Sequence, residues 1–251
     1  MMTFPKINLH IHSIYSDGKN SIRDVVDKAL NLGLNYICIT DHFTNSWKAN
    51  VIPSLNTKAK IEKYLTELSD LQQELIDYGG KLILLKGIEI DISSSYDYIT
   101  KLIVPENFDI ILFEYLENVE GIGFVKNILL NWEQRYSKNY EQCLFGLAHL
   151  DPSYFEYSSL GTLISFLKKY EIYFEFNSSY PEFYSQRYKF FFKELKANNI
   201  LVSIGCDSHD LSTLANFNEP LQRIQIYDLE LNYARFIKKL EKKEIISHSF
   251  D

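Results

Sequence analysis

Apolar positions along the chain fall into two alternating patterns. Short runs rich in β-branched and aromatic side chains occupy residues 7–12, 36–40, 82–90, 108–116, 144–147, 173–177 and 201–205. Between most of them lie longer stretches with apolar residues at helical spacing, over residues 21–32, 58–78, 122–135, 158–169 and 184–198. This alternation is the pattern of βα units wound around a largely parallel sheet. Ser21 followed by Asp24 carries a capping-box signature, and Gly33 and Gly79-Gly80 stand where helices are expected to stop. A further short strand is predicted at 224–227 and a closing helix at about 230–244.

Polar residues recur at the C-terminal ends of these strands. That favours a closed parallel barrel over an open sheet, because barrel active sites lie at that end. The 251 residues contain no repeat, no low-complexity tract and no Pro/Gly/Ser linker, so one domain over residues 1–251 is expected.

Composition removes several classes of function. Hydrophobic residues at 46% and charged residues at 24% are ordinary for a globular α/β protein. Lys plus Arg number 26 against 33 Asp plus Glu, a net charge of −7. Long nucleic acid, which needs a broad basic face, is therefore not an expected partner. No apolar run approaches the roughly 18 residues of a membrane span, and residues 1–20 lack a secretory pattern. Cys38, Cys143 and Cys206 lie far apart inside apolar stretches without a CxxC pair, as buried thiols of a reduced protein would. A cytoplasmic location with no membrane partner is expected.

The candidate chemistry sits at the strand ends. His10 and His12 are two apart on the first run, so they project from one face and can chelate one ion. Ser16-Asp17-Gly18 follows in the loop, and Thr40-Asp41-His42 ends the second run. Glu89 stands inside an apolar run, where an unpaired carboxylate is costly unless it meets a cation. His149 and Asp151 end the fifth run, and Asp207 and His209, again two apart, end the seventh. Five of the six histidines thus fall at predicted strand ends; the sixth, His248, lies near the C-terminus and is read as non-functional.

The order HxH, SDG, TDH, GIE, AHLD, DSH resembles the PHP (polymerase and histidinol phosphatase) family from His10 to His209. The resemblance implies a distorted (β/α)7 barrel holding two or three divalent metal ions. His10, His12, Glu89 and Asp207 look like ligands of a first ion, Asp17 and His42 of a second, and His149 of a third, with His209 completing the last pair. Family members with three ions usually carry a histidine after the fourth strand. Residues 108–117 have none, and Glu114 or Glu117 is the candidate to replace it.

Mixed imidazole and carboxylate donors suit Zn, Mn or Fe rather than an all-oxygen Mg cage. Such ions activate water and clamp phosphoryl oxygens. The activity that the resemblance implies is hydrolysis of a small phosphomonoester, such as a sugar, amino-alcohol (histidinol-phosphate-like) or nucleotide phosphate. Asp41 is the candidate to orient an imidazole or carry a proton. The sixth run ends in polar groups from Glu175 to Tyr180. Asn177 and Arg187 are candidates to bind the substrate, Arg187 as a phosphate clamp. Tyr180 and Trp47 are candidate stacking surfaces. The same residues are compatible with three alternatives: trimming of short oligonucleotides, amidohydrolase chemistry, and a metal-binding interaction module without catalysis.

Overall fold

The computed structural model describes residues 4–79, 81–136, 143–155 and 159–247. Its strands are β1 (Ile7–Ile11), β2 (Tyr36–Ile39), β3 (His42–Phe43), β4 (Ile83–Asp91), β5 (Ile110–Glu114), β6 (Leu144–Leu147), β7 (Tyr173–Asn177) and β8 (Val202–Gly205). They pair in the order β1-β2-β4-β5-β6-β7-β8, with β3 against β4, and every pairing is parallel. The two ends of this order meet. Ile11 bridges Ser208, the His12 N–H donates to the Ser208 carbonyl at 3.0 Å, and the Ser208 N–H donates to the His10 carbonyl at 3.1 Å. The result is a nearly closed barrel surrounded by helices.

These helices are α1 (Ile22–Leu32), α2 (Lys58–Asp77), α3 (Tyr96–Leu102), α4 (Val119–Tyr136), α5 (Leu160–Lys169), α6 (Lys189–Ala197), α7 (Asn218–Ile226) and α8 (Glu230–Ser247). Ser21 and Asp24 form the expected reciprocal cap on α1, and Gly33 closes it at φ 66°, a left-handed turn that glycine adopts without strain. Gly79 is likewise left-handed after α2, at φ 64°; Gly80, Ser158 and His248 lie outside the described residues. Aromatic side chains fill the layer between barrel and helices. Phe113, Trp132 and Phe145 stack to join β5, α4 and β6, while Phe174, Phe176 and Phe192 join β7 to α6. The three cysteines are buried.

Three sequence expectations shift. The strand predicted at 224–227 is the end of α7: Pro220 and Ile224 are buried one helical turn apart, whereas Ile226 is exposed. Ile-Gln-Ile-Tyr alternates like a strand, but only one of its isoleucines faces the core. The helix predicted at 184–198 begins only at Lys189, preceded by two short 3₁₀ turns. Both β3 and α3 add to the expected elements, being too short to register as periodic segments. Among the described residues no helix is long and apolar enough to cross a membrane.

Candidate metal centre

The parallel strands deliver their polar ends to one mouth of the barrel. His10 and His12, on and just beyond β1, bring their Nε2 atoms to 3.0 Å from each other. Register places Glu89 of β4 beside His42 of β3. One Glu89 oxygen lies 3.4 Å from His10 Nε2 and 3.3 Å from His149 Nε2; the other lies 3.5 Å from His12 Nε2 and 2.8 Å from His42 Nδ1. Asp207, after β8, reaches His12 Nε2 at 2.9 Å and His10 Nε2 at 3.4 Å. Asp17 stands 3.2 Å from His209 Nε2 and 3.6 Å from His42 Nε2. Glu114, the last residue of β5, lies 3.3 Å from His42 Nδ1. The structure therefore gathers all nine candidate ligands.

The chemistry of this donor set fits divalent ions. Glu89 is fully buried, yet neither oxygen has an aligned hydrogen-bond donor, and Asp17 Oδ1 is in the same position. Leaving such atoms unmatched costs about 1–3 kcal/mol or more, which a shared cation would offset. Among the described residues, four groups bring ligand atoms close enough for an ion: His12, Asp17, His42 and His209; His10, Glu89 and His149; His10, His12 and Asp207; and His42, Glu89 and Glu114.

Groups behind the donors set their orientation. Glu175 on β7 lies 3.1 Å from His10 Nδ1, turning Nε2 toward the centre. The same carboxylate accepts the His149 backbone N–H and the Asn177 side-chain amide, each at 2.9 Å. Gly205 leaves the space that Glu175 fills, since a Cβ there would collide with its carboxylate and crowd His10. Sequence reasoning places Glu175 only within a polar strand end. The signal for its role is an acid in an apolar run two residues before Asn177, hence on the same face. His209 Nδ1 lies 3.0 Å from the Asp207 carbonyl, which leaves Nε2 facing Asp17.

A cavity of about 340 Å³ opens over the centre, lined by Asp17, His42, Lys48, Glu114, Tyr115, Leu116, Glu117, Ala148, His149, Leu150, Asp151, Tyr154, Tyr180, Phe183, Asp207 and His209. It has the size of a small-ligand site. Tyr180 lies over the His149 ring, centroids 4.6 Å apart. Four other candidates stand elsewhere. Asp41 is fully buried and outside the cavity wall; it accepts hydrogen bonds from the Ser13 N–H at 2.8 Å and the Ser13 and Ser16 hydroxyls at 2.6 and 2.5 Å. It fastens the loop leading to Asp17 rather than meeting an imidazole. Asn177 is buried beneath the centre on Glu175. Arg187 is exposed on a short 3₁₀ turn, its guanidinium over the Tyr188 ring, because the helix expected to begin before it starts after it. Trp47 is 64% exposed and absent from the cavity wall.

A family model for the PHP domain matches residues 8–240. The chain belongs to the PHP domain family. This PHP domain is 29% identical over 150 residues to a Thermotoga maritima protein named "Probable histidinol-phosphatase", a match covering 58% of this chain and 54% of that protein. It is 33% identical over 87 residues to the DNA polymerase/3'-5' exonuclease PolX of Bacillus subtilis, covering 35% of this chain and 14% of PolX. The matches thus span about half of the first relative and a small part of the second. Its fold resembles histidinol phosphate phosphatase from Lactococcus lactis, solved with zinc, L-histidinol and phosphate, at a TM-score of 0.61 and 18% identity over 90% of this chain and 94% of that one.

Electrostatics in the PHP domain's centre are strongly coupled. Burial alone disfavours the His10 imidazolium, but Glu175, Glu89 and Asp207 outweigh it and hold its pKa well above the usual histidine range. His42 is raised likewise against burial, by Glu89, Asp17 and Glu114. His12 is lowered, by burial and by its neighbour His42. Burial would raise Glu89, yet His10 and His42 hold it well below the carboxylate range. Three wall residues also sit in left-handed backbone: Tyr115 at φ 66°, His149 at 33° and Asp207 at 47°. Such conformations cost non-glycine residues about 1–3 kcal/mol and cluster at functional sites.

Proposed function

We propose that this PHP domain is a metal-dependent phosphoesterase that hydrolyses a small phosphate ester to an alcohol and phosphate. The observation that carries the reading is Glu89, a buried carboxylate with no aligned donor, ringed by four imidazoles beneath a small cavity. His10, His12, Glu89 and Asp207, with His149 beside them, would hold one ion, and Asp17, His42 and His209 another. Zn, Mn or Fe matches these donors. When bound, such ions supply the positive charge that activates water and neutralises phosphoryl oxygens.

The side chains position and enclose. Glu175 holds His10 with Nε2 facing inward, and Asp41 holds the loop before Asp17. Leu116, Leu150 and Phe183 form the apolar part of the wall and keep bulk water from the reacting group. The reaction class agrees with the names of the Thermotoga and Lactococcus proteins, and an amino-alcohol phosphate is the preferred substrate. The short match to PolX supports a second reading, removal of a nucleotide from an oligonucleotide end.

Purified protein loaded with Mn or Zn should hydrolyse a generic chromogenic phosphomonoester faster than the matching diester. The double variant His10→Ala, His12→Ala should abolish turnover. Unchanged turnover in that variant would sink the reading, and a preference for diesters would favour the oligonucleotide substrate.

A further inference from the structure

One of the four donor groups already contains a cation. Lys48 Nζ lies 2.9 and 2.8 Å from the two Glu114 oxygens and 3.3 Å from His42 Nδ1. Two of its three N–H bonds meet the Glu114 oxygens, and His42 Nδ1 lies beside the third. The pair is well enclosed, with side-chain exposures of 12% for Lys48 and 1% for Glu114. Both Glu114 oxygens have a hydrogen-bond donor, whereas neither Glu89 oxygen has an aligned one.

The lysine is held in place by dedicated contacts. Buried Asp91, at the end of β4, accepts hydrogen bonds from the Thr44 and Ser46 hydroxyls, and the Ser46 hydroxyl in turn accepts the Lys48 backbone N–H at 3.2 Å. The segment entering the barrel mouth is thus tied to the strand beside Glu114, the register neighbour of Asp91.

We propose that the Lys48 ammonium takes the place of a divalent ion in the corner formed by His42, Glu89 and Glu114, so that the centre loads with two ions and not three. This rests on the reading of the mouth as a metal centre, but not on which ester is hydrolysed. The electrostatics support it. An ammonium and a dication cannot share the Glu114 carboxylate at this distance without strong repulsion in a buried setting. The group with Asp17, His12 and His209 offers more ligands and no competing ammonium.

Metal content per chain after loading with Zn or Mn and removal of excess, read by elemental analysis, tests this directly. Wild type and Lys48→Arg should retain two ions, and Lys48→Met should retain one more. Glu114→Gln in the otherwise native chain should leave the count at two, which decides the matter even if Lys48→Met does not fold. Three ions in wild type, no gain in a folded Lys48→Met, or loss of an ion from Glu114→Gln would overturn the proposal. No bound ion in any form would instead remove the metal-centre reading beneath it, so the two failures are distinguishable.

Discussion

Glu175 and His10 come from β7 and β1, 165 residues apart in the chain, and meet at 3.1 Å with both side chains excluded from solvent. This contact selects which imidazole nitrogen faces the centre, and the same carboxylate holds the backbone that presents His149. Loss of such an orienting partner typically costs about 10–100-fold in metal affinity. Glu175→Gln should weaken Zn binding within that range by competition against a chromogenic chelator, with the fold retained. Wild-type affinity in this variant would show that His10 needs no brace.

Gly205→Ala introduces one methyl group where Glu175 lies, against the fixed backbone of β8. The carboxylate must move, and His10 with it. The expected outcome is lower metal affinity together with a loss of stability of about 1–3 kcal/mol, the usual cost of overpacking, read by denaturant titration. Gly161, on α5, has open space around its Cβ position, so Gly161→Ala is the matched control and should change neither quantity adversely.

Asp41→Ala strands one buried backbone donor and two buried hydroxyls. A penalty of about 1–3 kcal/mol is expected for buried groups left unpaired. Thermal unfolding should therefore occur at lower temperature, and ion binding through Asp17 should weaken because its loop is released. Full stability with a selective loss of turnover would instead restore Asp41 as a proton carrier.

Metal uptake should release protons. His10 and His42 are held above the ordinary histidine range, so near neutral pH they carry protons that an ion must displace. The sign follows: as pH falls, the imidazolium forms gain population and apparent metal affinity falls; as pH rises through their pKa values, affinity increases. Calorimetry in buffers of different ionisation enthalpy measures the released protons. Uptake with no proton release, and no pH dependence, would contradict the charge balance described for His10 and His42.

The barrel and the gathering of the candidate ligands at its mouth are largely legible in the sequence because both depend on periodicity and on strand ends. His10 and Glu89 occupy positions where strand geometry fixes the direction of the side chain, and His12, Asp207 and His209 follow directly from strand ends. Glu175 and Lys48 are harder to read, since their roles depend on neighbours remote in the chain or on a short loop. Arg187 escapes prediction because a helical pattern over 184–198 does not reveal that the first turns are 3₁₀. Asp41 misleads for a different reason: adjacency to His42 suggests shared chemistry, whereas successive residues leaving a strand face different surroundings.

The barrel seam has a mechanical consequence. Between β1 and β8 the backbone pairing is reduced to a bridge at Ile11 and Ser208, to which the Asn8 side chain adds hydrogen bonds with the Cys206 N–H and the Ser208 hydroxyl. His10 and His12 stand on one side of that seam and Asp207 on the other. An ion shared by them would lace the first strand to the last, so chelation should accelerate amide hydrogen exchange most in β1 and β8 while the ladder from β4 to β5 stays protected.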